Sequence, residues 1–433
     1  MSTANKKMLV VEVAGLGYDL TWGHGFRDCG GLVFRPLETV FPAVTCVAQA
    51  SFRTAALPSE HGVVGNGFFD RELRRAFFWE QSSALVRGAR TWADFRRRGG
   101  RVAMLFWQQS LGEEADIVIS PAPVHTHGGG MIESCASDPP ELYERLCRAV
   151  GRKFRLRHYW GPLASAQSSA WIAEATAALL RDADHAPDLC LTYLPALDYD
   201  LQRFGPAHPR AREAMEALRD QLTRLVAAAR EAGYEVVVFG DYAIASVTNG
   251  AACPNLALRK AGLLRTRVVN GMQYPDFHRS DAFAVADHEV AHVYARGGDA
   301  ARRAADVLAP LRGVVEILDG PHQERLGVRH ARGGELLLVA ADGFWFAYPW
   351  WESRAEAPDY AAHVDIHSKP GFDPGELFFG RTPFSVSLDT ARVRGTHGRA
   401  GPDRRVAWAS TVPFDPAPDA LIGLAAAVGR WLQ

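Results

Sequence analysis

The 433-residue chain has little that would tie it to nucleic acid, to a membrane or to an oxidising compartment. Its formal net charge is -1, with 48 Lys and Arg against 49 Asp and Glu, so it lacks the electrostatic footprint of a nucleic-acid or anionic-membrane binder. No apolar run approaches the roughly 18 uninterrupted residues that a membrane helix needs. The opening "MSTANKKMLVVEVAGLGYD" is interrupted by Glu12 and reads as a strand rather than a secretory segment, while the Ala-rich "DALIGLAAAVGRWLQ" at the far end suits a core helix. Only six cysteines occur (Cys29, Cys46, Cys135, Cys147, Cys190, Cys253), none in CxxC spacing, which predicts reduced, mostly buried thiols and a cytoplasmic location. Internal repeats, low-complexity tracts, P-loops, dinucleotide fingerprints and HExxH helices are also missing. The basic run Arg96 to Arg98 reads as a solvated helix end. What is left is a small-molecule protein.

The composition, 48% hydrophobic and 22% charged, supports a sizeable core. Mostly apolar runs at "MLVVEVAGL", "RVAMLFW", "LCLTYLP" and "EVVVFGDY" predict strands of a sheet covered on both faces. Between the last two, "PRAREAMEALRDQLTRLVAAAREAGY" carries apolar residues at helical spacing, with Pro near its start and Gly near its end. Strand, helix, strand is the crossover unit of a parallel α/β sheet, and ligands in such sheets bind beyond the carboxyl ends of the strands, where Asp198 and Asp241 fall. From Ala257 to Val364 the texture changes to short β-like runs, a candidate inserted or cap subdomain within one catalytic-type domain; Gly129 to Trp160 is a candidate smaller insertion. The aromatic run "FWFAYPWW" from Phe344 to Trp351 reads as core, with a stacking surface for a flat ligand as the alternative.

Four pieces carry chemistry together: "VTC" at Thr45, "LPSEHGVVGN" ending at Asn66, "ALDYDLQRFGP" from Ala196 to Pro206, and "GDY" at Asp241, followed late by "GTHG" at His397. Taken alone, Thr45 is an ordinary β-branched residue at a strand end and Asn66 a turn residue between glycines. Their order and wording resemble the alkaline phosphatase superfamily and, within it, the nucleotide pyrophosphatase/phosphodiesterase family. Asn66 stands 21 residues after Thr45, the spacing of that family's nucleophile and its "GN" asparagine.

The resemblance implies an alkaline phosphatase-like α/β sandwich, with a central, mostly parallel sheet flanked by helices and a small cap. It implies that Thr45 attacks phosphorus and forms a covalent intermediate, while Asn66 and the Cys46 backbone N–H hold the non-bridging oxygens. His61 is expected to be structural. The family's metal pair is altered here. Asp198 and His397 keep two ligands of one site but Gln202 stands in a histidine's place; Asp241 keeps one ligand of the other, but Ala14 and Tyr242 replace an aspartate and a histidine. The surviving Asp198, Gln202, Asp241 and His397 form an oxygen-rich set suited to fewer than two divalent ions, Mg2+ or Mn2+ rather than Zn2+.

Further candidates surround this set. Glu12, on the same strand face as Ala14, could replace the missing carboxylate. The stretch "ADHEVAHVY" brings Asp287, His288 and His292, and in "HVDIHSKPGFD" a strand would put His363, Asp365 and His367 on one face, with His367 and Lys369 over the site as phosphate or leaving-group binders. The expected activity is hydrolysis of a phosphate ester or nucleotide-linked small molecule. The alternative is a non-hydrolytic relative that binds, transfers or isomerises a phosphorylated ligand.

Overall fold

A computed structural model describes residues 6–26, 28–127, 130–382 and 384–433. The chain opens with β1 (Met8–Val13), every residue of which is buried, and returns through β2 (Arg35–Leu37) to the buried helix α1 (Thr45–Thr54). Then follow β3 (Val102–Leu105), β4 (Ile117–Pro121), β5 (Cys135–Asp138), α2 (Gln167–Leu180), β6 (Leu189–Leu194), α3 (Ala196–Phe204), α4 (Pro209–Glu231) and β7 (Glu235–Gly240). Next come β8 (Ala282–Asp287), β9 (Val290–Ala295), β10 (Val314–Leu318) and β11 (Leu336–Ala340); β12 (Val406–Ser410) and α5 (Leu421–Leu432) close the chain. All four strands and both helices expected from apolar runs form where the sequence puts them.

The central sheet has the order β5-β4-β3-β6-β1-β7-β12-β2. Its middle five strands run parallel, and β5, β12 and β2 add antiparallel edges. Parallel strands buried on both faces need continuous apolar sequence, which is why these runs are legible without alternation. In register, Glu12 lies between Tyr193 and Phe239, so β6 and β7 flank the one carboxylate of β1. Asp241 follows directly on β7, and α3 places Asp198 four residues beyond β6, both at the carboxyl ends of the strands. Gly15, at φ +74°, turns the chain beyond β1 so that its N–H reaches Asp241 Oδ1 at 3.1 Å; a residue with a Cβ would be strained there.

Residues from the 257–364 stretch build a second, antiparallel sheet of order β8-β9-β11-β10, with a core of its own around Phe283, Tyr294, Phe346 and Trp350. The aromatic run Phe344 to Trp351 is therefore mainly core. Of the expected insertion from Gly129 to Trp160, Gly129 lies outside the described residues; Met131–Ile132 pairs with Val124–His125 as a short hairpin. All six cysteines are free, and no helix among the described residues is long and apolar enough to cross a membrane.

Helix α1 is held from beneath by a buried cation. The Arg53 guanidinium donates to the carbonyls of Gln108 (2.7 Å) and Gln109 (2.8 Å) and pairs with Glu113 at 3.3 Å, wholly out of solvent. Removing Arg53 would leave two buried carbonyls without their donor and Glu113 with Arg90 alone, at a cost of about 3 kcal/mol. Arg53→Ala should therefore lower unfolding free energy by that order in chemical denaturation. A loss near zero would show that α1 does not depend on this strut.

Candidate active site

Thr45 is the first residue of α1, after Val44 in extended conformation, and only 3% exposed; it starts a helix rather than ending a strand. Its neighbour Cys46 thus has an N–H left without a partner inside the helix. That N–H donates to Asn66 Oδ1 at 3.0 Å. The other end of the Asn66 amide donates to Asp287 Oδ1 at 3.1 Å, and the Asn66 N–H donates to Asp287 Oδ2 at 2.7 Å. Two of the sequence-named residues are thereby joined, but the amide that was expected to face phosphate closes onto Cys46 and onto a carboxylate of the second sheet. His61 is structural as expected, sharing a 2.9 Å hydrogen bond with Ser51 and accepting from the Val63 N–H.

On the sheet side of Thr45 stand two buried carboxyl groups. Glu12 accepts from Gln49 Nε2 at 2.7 Å through one oxygen, and Asp241 accepts from the N–H groups of Gly15 and Tyr242 through one oxygen. Their remaining oxygens, Glu12 Oε1 and Asp241 Oδ2, have no hydrogen-bond partner in the described structure. Burial pushes the pKa of each well above the ordinary carboxyl value; the charge of Asp241 raises Glu12 further, and that of Asp198 raises Asp241. The hydroxyl of Thr45 meets the phenols of Tyr193 and Tyr242. Tyr193 was not singled out from sequence; its strand position opposite Glu12 was the available signal.

The other half of the expected metal set is spent differently. Asp198 accepts from Gln202 Nε2 at 2.6 Å and from the Tyr242 hydroxyl at 3.1 Å, and burial pushes its pKa up to about 7. Tyr242 lies flat on His397, with ring centroids 3.4 Å apart and planes within 3°. His397 in turn packs on His288 at 3.7 Å, and His288 on Phe372 at 3.7 Å. A continuous column of four rings therefore runs through this region. His397 Nδ1 is held by the Ala43 carbonyl at 2.8 Å, and burial drives its pKa well below the usual imidazole value.

Two ions in the family's arrangement do not fit these residues. Ala14 offers no ligand, and Tyr242 occupies its position with a ring laid against His397. The free acceptors that remain are chiefly the orphan oxygens of Glu12 and Asp241, hard ligands of the kind a divalent cation takes. The single grouping of three potential ligands among the described residues is elsewhere: Asp182, Asp184 and His185, where Asp182 already accepts from Arg145 and from His185.

The late loop corrects three expectations. His363, Asp365 and His367 do not lie on a strand but in turns, and both histidines are exposed. His367 Nδ1 approaches the Phe78 carbonyl at 3.1 Å. Lys369 is not a phosphate binder; its ammonium, 1% exposed, donates to Asp373 (2.7 Å), Glu376 (2.6 Å) and the His363 carbonyl (2.8 Å). This knot, together with the Pro and Gly residues around it, folds the segment back on itself and brings Phe372 over His288. His292 is likewise structural, between the Val64 carbonyl and the Gly334 N–H.

A large, mainly parallel sheet with a threonine at the amino end of a buried helix and acids at the strand ends is an alkaline phosphatase-type α/β arrangement. The chain belongs to the type I phosphodiesterase / nucleotide pyrophosphatase family, whose model matches residues 26–373. Among solved structures it is similar to phosphonoacetate hydrolase from Sinorhizobium meliloti 1021, described with phosphonoformate and with phosphonoacetate, at 16% identity over 98% of this chain and 95% of that one, with a TM-score of 0.61. It is also similar to murine ectonucleotide pyrophosphatase/phosphodiesterase 5, at 15% identity over 99% and 95% of the two chains, with a TM-score of 0.58; an inactive form of that protein has been described with AMP. At these identities the likeness is one of fold.

The Lys369 knot makes its own prediction. Lys369→Met should destabilise the protein by about 3 kcal/mol in denaturant titration, because Glu376 would stay buried without its cation. An unchanged midpoint would return Lys369 to the pool of ligand-binding residues.

Proposed function

We propose that the protein is a phosphoric ester hydrolase acting on a small phosphorylated molecule, with Thr45 as nucleophile. The observation that supports this most is the placement of the Thr45 hydroxyl at the amino end of α1, between two phenols and beside two carboxyl groups with unsatisfied oxygens. A helix amino terminus favours the negative charge of a phosphoryl group.

In this reading Tyr193 and Tyr242 orient the Thr45 hydroxyl, and Glu12 with Asp241 would hold one divalent cation. A cation there would supply Lewis-acid stabilisation worth several kcal/mol. The side chains do the rest: they position the hydroxyl, exclude water from the buried carboxyls and keep the attack in line. Asp198, Gln202 and His397 act as a scaffold through their hydrogen bonds and ring contacts. Binding of phosphonates and AMP by proteins of the same fold is compatible with a substrate of this size. The six free thiols favour a reducing compartment, in keeping with a cytoplasmic location.

Two measurements test the proposal. Turnover of p-nitrophenyl phosphate, bis(p-nitrophenyl) phosphate or phosphonoacetate with Mg2+, Mn2+ or Zn2+ should fall roughly 1000-fold or more in Thr45→Ala. Turnover that survives this substitution removes the threonine from the chemistry. Glu12→Gln should lower the divalent metal bound per chain; unchanged metal content would rule out the Glu12 ligand.

A further inference from the structure

A second group of charges gathers beside the far half of α1. Ser51, about 9 Å along the helix from Thr45, holds His61. The His61 carbonyl accepts from the Arg87 N–H at 2.9 Å, and Gly62, next in the chain at φ +76°, lies under the loop that carries His330 and Arg332. His330 Nε2 and Arg332 Nη1 stand 2.9 and 3.2 Å from where a Cβ on Gly62 would be, so only glycine lets the two come together there. Both ring nitrogens of His330 face donors: Nδ1 the Arg332 N–H at 3.1 Å, and Nε2 the Arg87 guanidinium at 3.4 Å. A neutral imidazole has one lone pair, so only one of these contacts is a hydrogen bond. The shorter one takes it, which leaves the Nε2 proton facing a guanidinium that can only donate. The carboxylates nearby are already engaged: Glu335 pairs with Arg71, Glu113 with Arg53 and Arg90, and Asp70 accepts from the N–H groups of Glu72 and Leu73. Among the described residues Arg87 and Arg332 form no ion pair. Burial and then the charges of Arg332 and Arg87 push the His330 pKa below its ordinary value, while burial and Arg87 lower that of Arg332 against a weaker pull from Asp70.

We propose that Arg87, His330 and Arg332 form a binding site for a phosphate group, separate from the Thr45 centre. An oxyanion between Arg87 and His330 turns a contact of two donors into two hydrogen bonds to one shared acceptor, and it supplies the negative charge that no side chain provides. Guanidinium groups suit this task, because their planar donor forks match phosphate oxygens and stay charged. Arg332 adds its charge and fixes the inner wall, since its Nη1 donates to the carbonyls of Gly62 and Leu85. Arg87 is exposed, and His330 and Arg332 are half-buried, so the anion enters from solvent onto a partly formed floor. The site does not depend on the hydrolytic reading: it requires a phosphate group, either as the free ion or carried on a small ester. Through Gly62, His61 and Ser51 a bound anion would brace the helix that Thr45 begins.

Inorganic phosphate is the probe and Arg87→Met the variant, which removes an exposed charge that no carboxylate balances. Without phosphate the variant should unfold at the parent's urea midpoint or above it. Added phosphate should raise the parent's midpoint more than the variant's; binding at the Thr45 centre and the general effect of the salt are common to both and cancel in the comparison. In a phosphate titration followed by the imidazole Hε1 resonance of His330, assigned with His330→Gln, the dissociation constant should weaken about tenfold or more in Arg87→Met. AMP, added to Thr45→Ala protein so that it is not consumed, separates the two sources. Tighter binding of AMP than of phosphate assigns the site to a phosphorylated ligand, the reverse assigns it to the free ion, and either upholds the site. Equal midpoint gains in parent and variant, or a His330 resonance that phosphate moves no further than chloride at the same ionic strength, overturns the site and leaves the role of Thr45 untouched.

Discussion

The clasp between Asp287 and Asn66 joins the second sheet to the loop that caps α1. Asp287 ends a strand of the antiparallel sheet, whereas Asn66 lies in the loop after α1, and the two are 221 residues apart in sequence. Both oxygens of one carboxylate are used on one asparagine, and that asparagine caps the Cys46 N–H at the amino end of α1. Burying a carboxylate is costly unless donors surround it, and here they are the Asn66 N–H, its amide and the His288 ring. The same atoms that make burial tolerable also fix where Thr45 points. Shifting the second sheet would move the helix cap, and the site would lose its geometry before it lost its fold.

Around this clasp the sequence was legible in proportion to how local its signals were. Strands β1, β3, β6 and β7 were readable because parallel strands buried on both faces require unbroken apolar runs. Helix α4 was readable from its period and its end residues. Thr45 and Asn66 were found by the resemblance of their motifs to a known family, and they do meet through Cys46. The helical state of Thr45 was hidden, because a Val-Thr-Cys triplet has β-branched character and the burial that turns it into a helix start comes from the sheet and from α5, far along the chain. The misreading at 363–369 has the same root. Period-two spacing of His363, Asp365 and His367 was real, but Lys369 finds Glu376 seven residues later, and that buried pair decides the path of the backbone.

The electrostatics of the site are set by burial of its acids. Glu12, Asp198, Asp241 and Asp287 are four buried carboxyl groups, each with its pKa raised by burial. Each can be neutralised by a proton, by donors or by a cation, and the four use different means. Asp287 takes donors from Asn66 and His288. Asp198 takes them from Gln202 and Tyr242. Glu12 and Asp241 are left with one unsatisfied oxygen apiece, next to each other's charge. This asymmetry concentrates the demand for positive charge on one side of Thr45.

The ring column Tyr242–His397–His288–Phe372 is the counterpart of that asymmetry on the other side. Flat rings in contact are a packing solution: they fill volume with dispersion contacts and need no ion. Three of the four still carry polar atoms, and the protein fixes two of these by hydrogen bonds, Tyr242 to Asp198 and His397 to Ala43. His288 is held at Nδ1 by Asp287 and has its Nε2 buried without a partner, on a turn whose backbone would be more comfortable with glycine. The imidazole does what a phenylalanine could not: it stacks between His397 and Phe372 and also supplies a donor to the buried Asp287. The positive φ and the unpartnered Nε2 are what the fold gives up to place that donor beside Asp287.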